Sequence, residues 1–145
     1  MKKEDVIPNV IYVTANFDVL AQVVDKLDEI EESDIVKQDF MVLLTKYISR
    51  QVGMVLVSFG EDKELNGCMV LSRQRDKRGE YLWIDLAWID SRCPKLHVKF
   101  RDEVMKTCKI IGIKRIQGKM KRGFDAMEKL YGAKEIAKIL EKEVI

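Results

Sequence analysis

The sequence lacks the short motifs that identify several large enzyme classes. It has no GxxxxGK[ST] phosphate-binding loop, no HExxH zinc motif, no serine elbow and no paired CxxC spacing. Its 3 cysteines are odd in number and do not form the framework of a small disulfide-linked domain. We therefore expect free thiols in a reducing compartment, and none of the chemistry that those motifs carry.

Long hydrophobic runs are also absent. The N-terminal segment MKKEDVIPNV has no apolar core of a signal peptide, and no run approaches the length of a membrane span. With 47% hydrophobic and 34% charged residues, the composition is that of a soluble globular protein without low-complexity segments. We expect a cytoplasmic protein with no membrane partner, folded as a single domain over residues 1–145.

Charge is unevenly distributed, although the net charge is only +2. Residues 1–65 carry 7 Lys and Arg against 13 Asp and Glu, whereas residues 91–134 carry 13 against 4. A basic surface of this kind suits the phosphates of a cofactor or, less favoured here, of a nucleic acid. The alternative is that the basic residues only solvate amphipathic helices. The same two interpretations apply to a basic hairpin turn that contains Arg73, Arg75, Lys77 and Arg78.

Hydrophobic periodicity predicts the order of the helices and strands. The elements are a strand over residues 9–14, a helix capped by Asn16, a helix over 35–50, strands over 52–59, 65–74 and 81–90, a helix from near Lys95 to Gly112, a strand over 114–120 and a short helix closing at Gly132. Short connections predict an antiparallel meander, and the helix before Gly112 predicts a parallel pair between its flanking strands. For residues 134–144, periodicity does not decide between strand and helix.

The stretch from Glu80 to Gly112 is where we expect a binding site, because a strand there leads directly into a helix N-terminus. Burying a carboxylate is costly, so Asp85 in this apolar strand is either a structural acid with partners or a group kept for chemistry. Simple alternation predicts two faces: Leu82, Ile84, Leu86 and Trp88 on one, and Trp83, Asp85, Ala87 and Ile89 on the other.

Cys93 and His97 lie four residues apart at the start of the following helix. A helix N-terminus lowers a thiol pKa, so this pair suits a Cys/His nucleophile or half of a metal site. No further ligand pair or orienting acid lies near them in the sequence. We therefore expect no metal, and thiol catalysis is a minor alternative.

From Glu80 onward the sequence resembles the GNAT superfamily of acetyl-CoA-dependent N-acyltransferases. That family has a strand, an Arg/Gln-x-x-Gly-x-Gly/Ala loop and a helix followed by a glycine; counted back from Gly112, the loop arginine falls on Arg92. The ending LYGA at residues 130–133 is similar to the end of the family's last helix. The loop itself departs from the pattern, since it reads RCPKLH with Cys93, Lys95 and His97 at the glycine positions.

The resemblance implies an α/β fold with a mixed, mostly antiparallel sheet of six to seven strands, helices on both faces, and residues 134–144 as the last strand. It implies an N-acetyltransferase that uses acetyl-CoA to acetylate an amine of a small molecule or a protein, with a homodimer left open. Glycines allow a pyrophosphate to approach the backbone, and Pro94 has no N–H. The alternative is therefore a GNAT-shaped binding or assembly module that has lost coenzyme A binding.

The resemblance also implies the roles of site residues. Asp85 is the expected general base, and Tyr131 is the expected general acid toward the coenzyme A thiolate, with simple packing as its alternative role. The side chains of Lys95 and Lys99 would supply the charge that the missing glycines do not. The residues expected to bind the cofactor are Trp88, Ile89, Arg92, Cys93, Lys95, Leu96, His97 and Lys99.

Overall fold

The computed structural model describes residues 5–29, 36–119, 124–134, 136 and 142–143. Its helices are α1 (Phe17–Asp25), α2 (Lys37–Arg50), α3 (Leu96–Ile111) and α4 (Phe124–Tyr131), with a 3-10 turn at Lys26–Glu29 after α1. Its strands are β1 (Tyr12–Thr14), β2 (Gly53–Phe59), β3 (Leu65–Asp76), β4 (Gly79–Ile89) and β5 (Ile116–Gly118). No helix within these ranges has the length and apolar character that a membrane crossing requires.

The strands form one mixed sheet in the order β1-β2-β3-β4-β5. The first four pair antiparallel with their neighbours, and β5 pairs parallel to β4 because α3 crosses between them. The parallel pair confirms the sequence prediction. The described residues contain five strands rather than the six to seven that the resemblance implied. Part of the difference is the expected last strand, residues 134–144, which lies mostly outside the described residues.

Helices cover both faces of the sheet, each through an apolar stripe. Helices α1 and α2 bury Val23, Phe40 and Leu44 against one face, which we call the α1/α2 face. Helix α3 buries Phe100 and Val104 against the other, which we call the α3 face. The sheet therefore has an apolar layer on each side, and any polar group between the layers needs a partner.

The predicted ends of the helices are confirmed. The Asn16 side-chain oxygen accepts the N–H groups of Asp18 and Val19, at 3.0 and 3.2 Å, and so caps α1. Gly112 follows α3 with φ of 74°, and Gly132 follows α4 with φ of 66°. These left-handed positions favour glycine and end both helices where the sequence indicated.

The hairpin between β3 and β4 is longer than predicted. Residues 75–80 were expected to be a connection, yet the strands continue through them to a two-residue turn that Gly79 closes at φ of 111°. Glu80 binds Arg73 at 2.6 Å and Arg75 at 3.3 Å across the strands. Cross-strand ion pairs thus extend a ladder whose polar composition resembles that of a loop.

Strand β1 is shorter than the predicted 9–14. Asn9 has φ of 61°, which an extended strand does not allow. Its N–H donates to the Phe59 carbonyl at 2.8 Å, so the segment before β1 is fixed by turn geometry. The prediction failed because the β-branched residues after Pro8 suggested a strand start, while Asn9 favours the left-handed region.

Gly67 of β3 is required by the packing of α3. A methyl group at this position would lie 2.7 Å from Cε2 of Phe100, which is 1% exposed. We expect Gly67→Ala to lower the free energy of unfolding by about 1–3 kcal/mol, because an overpacked core must shift. Urea unfolding measures this change. The control is Gly118→Ala, whose added methyl meets its nearest atom at 3.4 Å and should have little effect. Equal stability of both variants would show that α3 adjusts freely.

Candidate active site

Strand β4 contains a β-bulge at Asp85. Leu71 of β3 pairs with Ile84 and Val70 pairs with Leu86, so Asp85 is an extra residue between two registered pairs. A bulge leaves the extra residue outside the ladder, bends the strand and reverses the side-chain alternation beyond it.

The bulge corrects the predicted faces of β4. Ile84 packs with the α3 face, together with Leu82, as far as the bulge. Beyond it, Leu86 and Trp88 pack with the α1/α2 face. The prediction that these four residues share one face was wrong because it assumed an unbroken period of two. Ile89 packs with the α3 face, so it does not lie on the same side as Trp88.

The pairing of β4 with β5 stops directly before the bulge. The last registered pair is Ile84 with Gly118. From Asp85 to Ile89, β4 has no pairing partner on the β5 side within the described part of the chain; we call these residues the open edge. Unpaired strand N–H and C=O groups can bind an extended polar chain. Strands β4 and β5 are therefore no longer paired beyond Ile84 and Gly118.

Two hydroxyl groups hold the Asp85 carboxylate at the start of the open edge. Tyr47 of α2 donates to Oδ1 at 3.0 Å, and Ser72 of β3 donates to Oδ2 at 2.9 Å. The Ser72 hydroxyl oxygen in turn accepts a hydrogen bond from Nε2 of Gln74 at 3.0 Å. Ser72 is 0% exposed and Tyr47 is 9% exposed, so both donors are fixed in the protein interior. Hydrophobic periodicity identifies neither Tyr47 nor Ser72 as a partner of Asp85.

No Lys or Arg of the described residues contacts the Asp85 carboxylate. Burial raises its pKa, and the hydrogen bonds from Ser72 and Tyr47 only partly oppose this effect. A buried carboxylate without a cation is costly, and its raised pKa moves it toward the range of a useful general base. The role of Asp85 as a general base stays a prediction.

The loop between β4 and α3 holds Arg92 internally. Its guanidinium binds the Asp90 carboxylate, with the shortest contact at 2.7 Å, and its N–H donates to the same side chain at 2.9 Å. These hydrogen bonds lower the pKa of Asp90 to about 2. Arg92 is exposed, but much of its charge is already neutralised by Asp90.

Three backbone N–H groups of this loop are also occupied. The N–H of Cys93 donates to the Asp90 carbonyl at 2.9 Å, that of Leu96 to Cys93 at 3.1 Å, and that of His97 to Pro94 at 3.3 Å. Helix α3 therefore begins in a tight turn that uses its own N–H groups. The loop does not offer the backbone cradle that a glycine loop gives to a pyrophosphate.

The other residues expected to bind the cofactor occupy separate positions. Leu96 is a core residue, 2% exposed. Lys99 donates to the Asn9 carbonyl at 2.7 Å. Lys95 is exposed and has no hydrogen bond or ion pair with another described residue. The ring of Trp88 lies under Lys26, whose Nζ is 4.7 Å from the ring centre. Among the side chains, Lys95 is thus the most available for an incoming phosphate.

No family model matches the sequence, and no curated protein matches it. Solved structures do match the fold. A glucosamine-6-phosphate N-acetyltransferase from Arabidopsis thaliana matches with a TM-score of 0.70 and 14% identity, over 92% of this chain and 96% of that one. A predicted acetyltransferase from Clostridium acetobutylicum, solved with acetyl-CoA, gives 0.71 and 15% over 92% and 96%. A GNAT family acetyltransferase from Staphylococcus aureus gives 0.66 and 16% over 93% and 98%.

This chain has the GNAT fold. At 14–16% identity these matches establish the fold alone, so the chemistry must be argued from the residues of this chain. The open edge and the bulge of β4 are the parts of this GNAT fold where the sheet leaves backbone groups available.

Tyr131 lies on the other side of this GNAT fold from Tyr47. Helix α4 packs on α3, where Arg101 of α3 donates to the Leu130 carbonyl at 3.5 Å. Burial raises the pKa of Tyr131 to about 12, with Arg101 lowering it only slightly. The contacts of the described residues do not join Tyr131 to Asp85. Its expected role as a general acid stays a prediction.

Among the described residues, no hydrogen bond joins the Cys93 thiol to His97. Its sulfur lies 3.8 Å from Nδ2 of Asn66 and packs with the α3 face, while His97 is exposed. Across the described residues, no group of three or more His, Cys, Asp or Glu side chains is placed to hold a metal ion.

The basic hairpin turn is largely neutralised by its own acids. Glu80 binds Arg73 and Arg75, and Asp76 lies 4.0 Å from Arg78. Arg115, next to β5, adds a bidentate pair with Asp76 at 2.7 and 2.9 Å. These contacts favour the solvated, ion-paired interpretation of the turn over a phosphate-binding one.

Ionisation of Asp85 should cost stability, and the sign can be measured. The pKa of Asp85 in the folded protein lies above its value of about 3.9 in the unfolded chain. Its contribution to the free energy of unfolding is therefore fully present below about pH 3.9, the unfolded pKa, and is lost as the pH rises through the folded pKa. The Asp85→Asn variant has no group that ionises at this position, so it does not lose this stability as the pH rises. We expect the stability difference to shift in favour of the variant between pH 4 and pH 7, by about 1.4 kcal/mol for each unit of raised pKa.

Urea unfolding of both proteins at the two pH values measures this difference. Asp90→Asn is the control of opposite sign, because the pKa of Asp90 is lowered to about 2 by Arg92. Between about pH 2 and about pH 4, where Asp90 ionises in the folded protein but not yet in the unfolded chain, that variant should lose stability relative to the parent as pH rises. A stability difference for Asp85→Asn that stays constant with pH would contradict the raised pKa.

Proposed function

We propose that the chain is a GNAT-type N-acetyltransferase that moves an acetyl group from acetyl-CoA to an amine. The observation that carries the proposal is the Asp85 carboxylate, which no Lys or Arg of the described residues contacts and which lies at the bulge where the pairing of β4 with β5 ends. The GNAT fold supports it, since the matching structures are acetyltransferases. A carboxylate of raised pKa beside unpaired backbone groups provides both a proton acceptor and donors for an oxyanion.

The residues of the site fit the amide arm of acetyl-CoA better than they fit its phosphates. The open edge suits the extended amide arm of acetyl-CoA, because within the described residues its N–H and C=O groups on the β5 side lack strand partners. The loop at Arg92 suits the phosphates less well, since the backbone N–H groups of Cys93, Leu96 and His97 are occupied and Arg92 is paired with Asp90. Acetyl-CoA would supply the activated thioester.

Asp85 acts as the base in this proposal. It accepts a proton from the acceptor amine, directly or through a water molecule, and the amine nitrogen then forms a bond to the thioester carbonyl carbon. Backbone N–H groups at the bulge stabilise the oxyanion. The C–S bond breaks as the oxyanion collapses, and the thiolate takes a proton from solvent. Tyr131, with a pKa of about 12, is better suited to donating a hydrogen bond than to transferring a proton.

The acceptor belongs on the α1/α2 face in this proposal. Tyr47 and Asp85 both lie on that face, so an amine that reaches Asp85 passes α2. One matching structure is named for the amine of glucosamine-6-phosphate, which supports an amine acceptor as a class. The proposal includes small-molecule and protein amines.

Replacing the base should lower the turnover rate and leave acetyl-CoA binding unchanged. We expect Asp85→Asn to lower kcat for acetyl transfer by about 10²- to 10⁴-fold, because general-base catalysis contributes that much. A thiol-release assay with acetyl-CoA and a panel of amines measures it. Asp39→Asn, an exposed change on α2, is the matched control and should retain the parent rate. Equal turnover in both variants would exclude Asp85 as the base.

Binding of acetyl-CoA should be weak and should depend on salt. Side-chain charge is screened as the Debye length falls from about 30 Å at 0.01 M to about 3 Å at 1 M salt, whereas a backbone cradle is much less affected. Titration calorimetry at these two salt concentrations measures the affinity, and Lys95→Ala should weaken it at low salt. Tight, salt-independent binding would contradict this loop chemistry. No binding at either concentration would favour the alternative of a GNAT-shaped binding module.

A further inference from the structure

We propose that Tyr47 is a positioning residue of the transferase site: from helix α2, its hydroxyl fixes Oδ1 of Asp85 and sets the direction of the base. Ser72 fixes the second oxygen from β3. The inference rests on the proposed function, because it assigns the source of the base's orientation. It adds two residues, from two different elements, that the sequence pattern did not reveal.

The position of Tyr47 is determined by how α2 ends. Gln51 adopts the left-handed conformation at φ of 56° and its N–H donates to the Ile48 carbonyl at 3.2 Å. The N–H of Val52 donates to the Tyr47 carbonyl at 3.0 Å. This turn leads straight into β2 at Gly53 and holds the tyrosine backbone beside the start of that strand.

The ring of Tyr47 lies directly on Gly53. A Cβ atom at position 53 would lie 2.6 Å from both Cβ and Cγ of the tyrosine, a distance that real Cβ atoms do not tolerate. The Tyr47 ring can pack against β2 only because the residue at position 53 is glycine. Because backbone and ring are both fixed, the hydroxyl has little freedom other than to meet Asp85 at 3.0 Å.

The hydrogen bonds around Asp85 run in one direction. Gln74 donates to Ser72, Ser72 donates to Oδ2, and Tyr47 donates to Oδ1. The carboxylate thus receives two hydroxyl donors. An ionised carboxylate has about four lone-pair sites, so two stay available for an amine or a water.

The groups facing Asp85 on each packed element are known. Tyr47 faces it from α2, and burial raises the pKa of that phenol, so it stays a neutral donor at physiological pH. Ser72 and Gln74 face it from β3 and do not titrate. Lys26, which follows α1, lies over Trp88 instead. Changes in the proton affinity of Asp85 in hydroxyl variants can therefore be assigned to the hydroxyl that was removed.

The test removes one hydroxyl and keeps the ring. In Tyr47→Phe we expect the acid limb of the kcat/KM profile to move to higher pH by about one to two units, because a hydrogen bond to the ionised form is lost. The pKa of the ¹³C-labelled Asp85 carboxyl, followed by NMR, should rise by the same amount. Tyr81→Phe is the matched control, since the ring of Tyr81 stacks on Arg115 at the hairpin and should change neither value.

A second variant covers the case in which Tyr47→Phe does not fold. Ser72→Ala removes the donor to Oδ2 and should move both readouts in the same direction. An unchanged Asp85 pKa in a folded Tyr47→Phe protein would overturn the inference. A raised Asp85 pKa together with an unchanged pH profile of kcat/KM would also overturn the inference, because the hydroxyl would then affect the acid without affecting the reaction. Absence of acetyl transfer in the parent protein would instead overturn the proposed function, which is a separate result.

Discussion

One extra residue in β4 determines most of the arrangement of the candidate site. The bulge at Asp85 turns Leu86 and Trp88 toward the α1/α2 face, while Leu82 and Ile84 stay on the α3 face. It also lies where β5 stops pairing with β4. A bulge bends the strand and increases its twist, so the loss of pairing beyond it follows from the same local geometry. The carboxylate and the open edge are thus two results of a single insertion.

The carboxylate at this bulge differs from the two described acids whose pKa values are strongly lowered. Asp76 and Asp90 bind Arg115 and Arg92, which lower their pKa values to about 2. Asp85 is partly buried, binds hydroxyl groups, and has a raised pKa. Arginine pairs at the surface cost little and keep their acids ionised. An acid held by neutral donors between apolar layers has a raised pKa and therefore accepts a proton more readily than an acid paired with arginine.

The sequence predicted what depends on local chemistry. The asparagine cap of α1, the glycines after α3 and α4 and the parallel strand pair follow from periodicity and turn residues, and the structure confirms them. Periodicity failed where a tertiary feature overrides it. The side of the sheet on which Leu86 and Trp88 lie depends on the bulge, and the residue types of β4 do not predict a bulge. The partners of Asp85 were missed for the same reason, since a tyrosine in an apolar helix stripe signals packing until the strand opposite it is placed.

The two faces of the sheet hold different parts of the proposed reaction. Tyr47 and the base lie with α1 and α2, whereas Leu96 and Tyr131 lie with α3 and α4. Groups on opposite sides of a paired sheet cannot act on one bond, because the strands between them exclude a substrate. They can meet only where the sheet is interrupted, and within the described residues that place is the open edge of β4 after Ile84. A thioester lying along this edge would be reached by the base from one side and by α3 from the other. The separation of β4 from β5 is therefore as necessary to the proposed chemistry as the carboxylate itself.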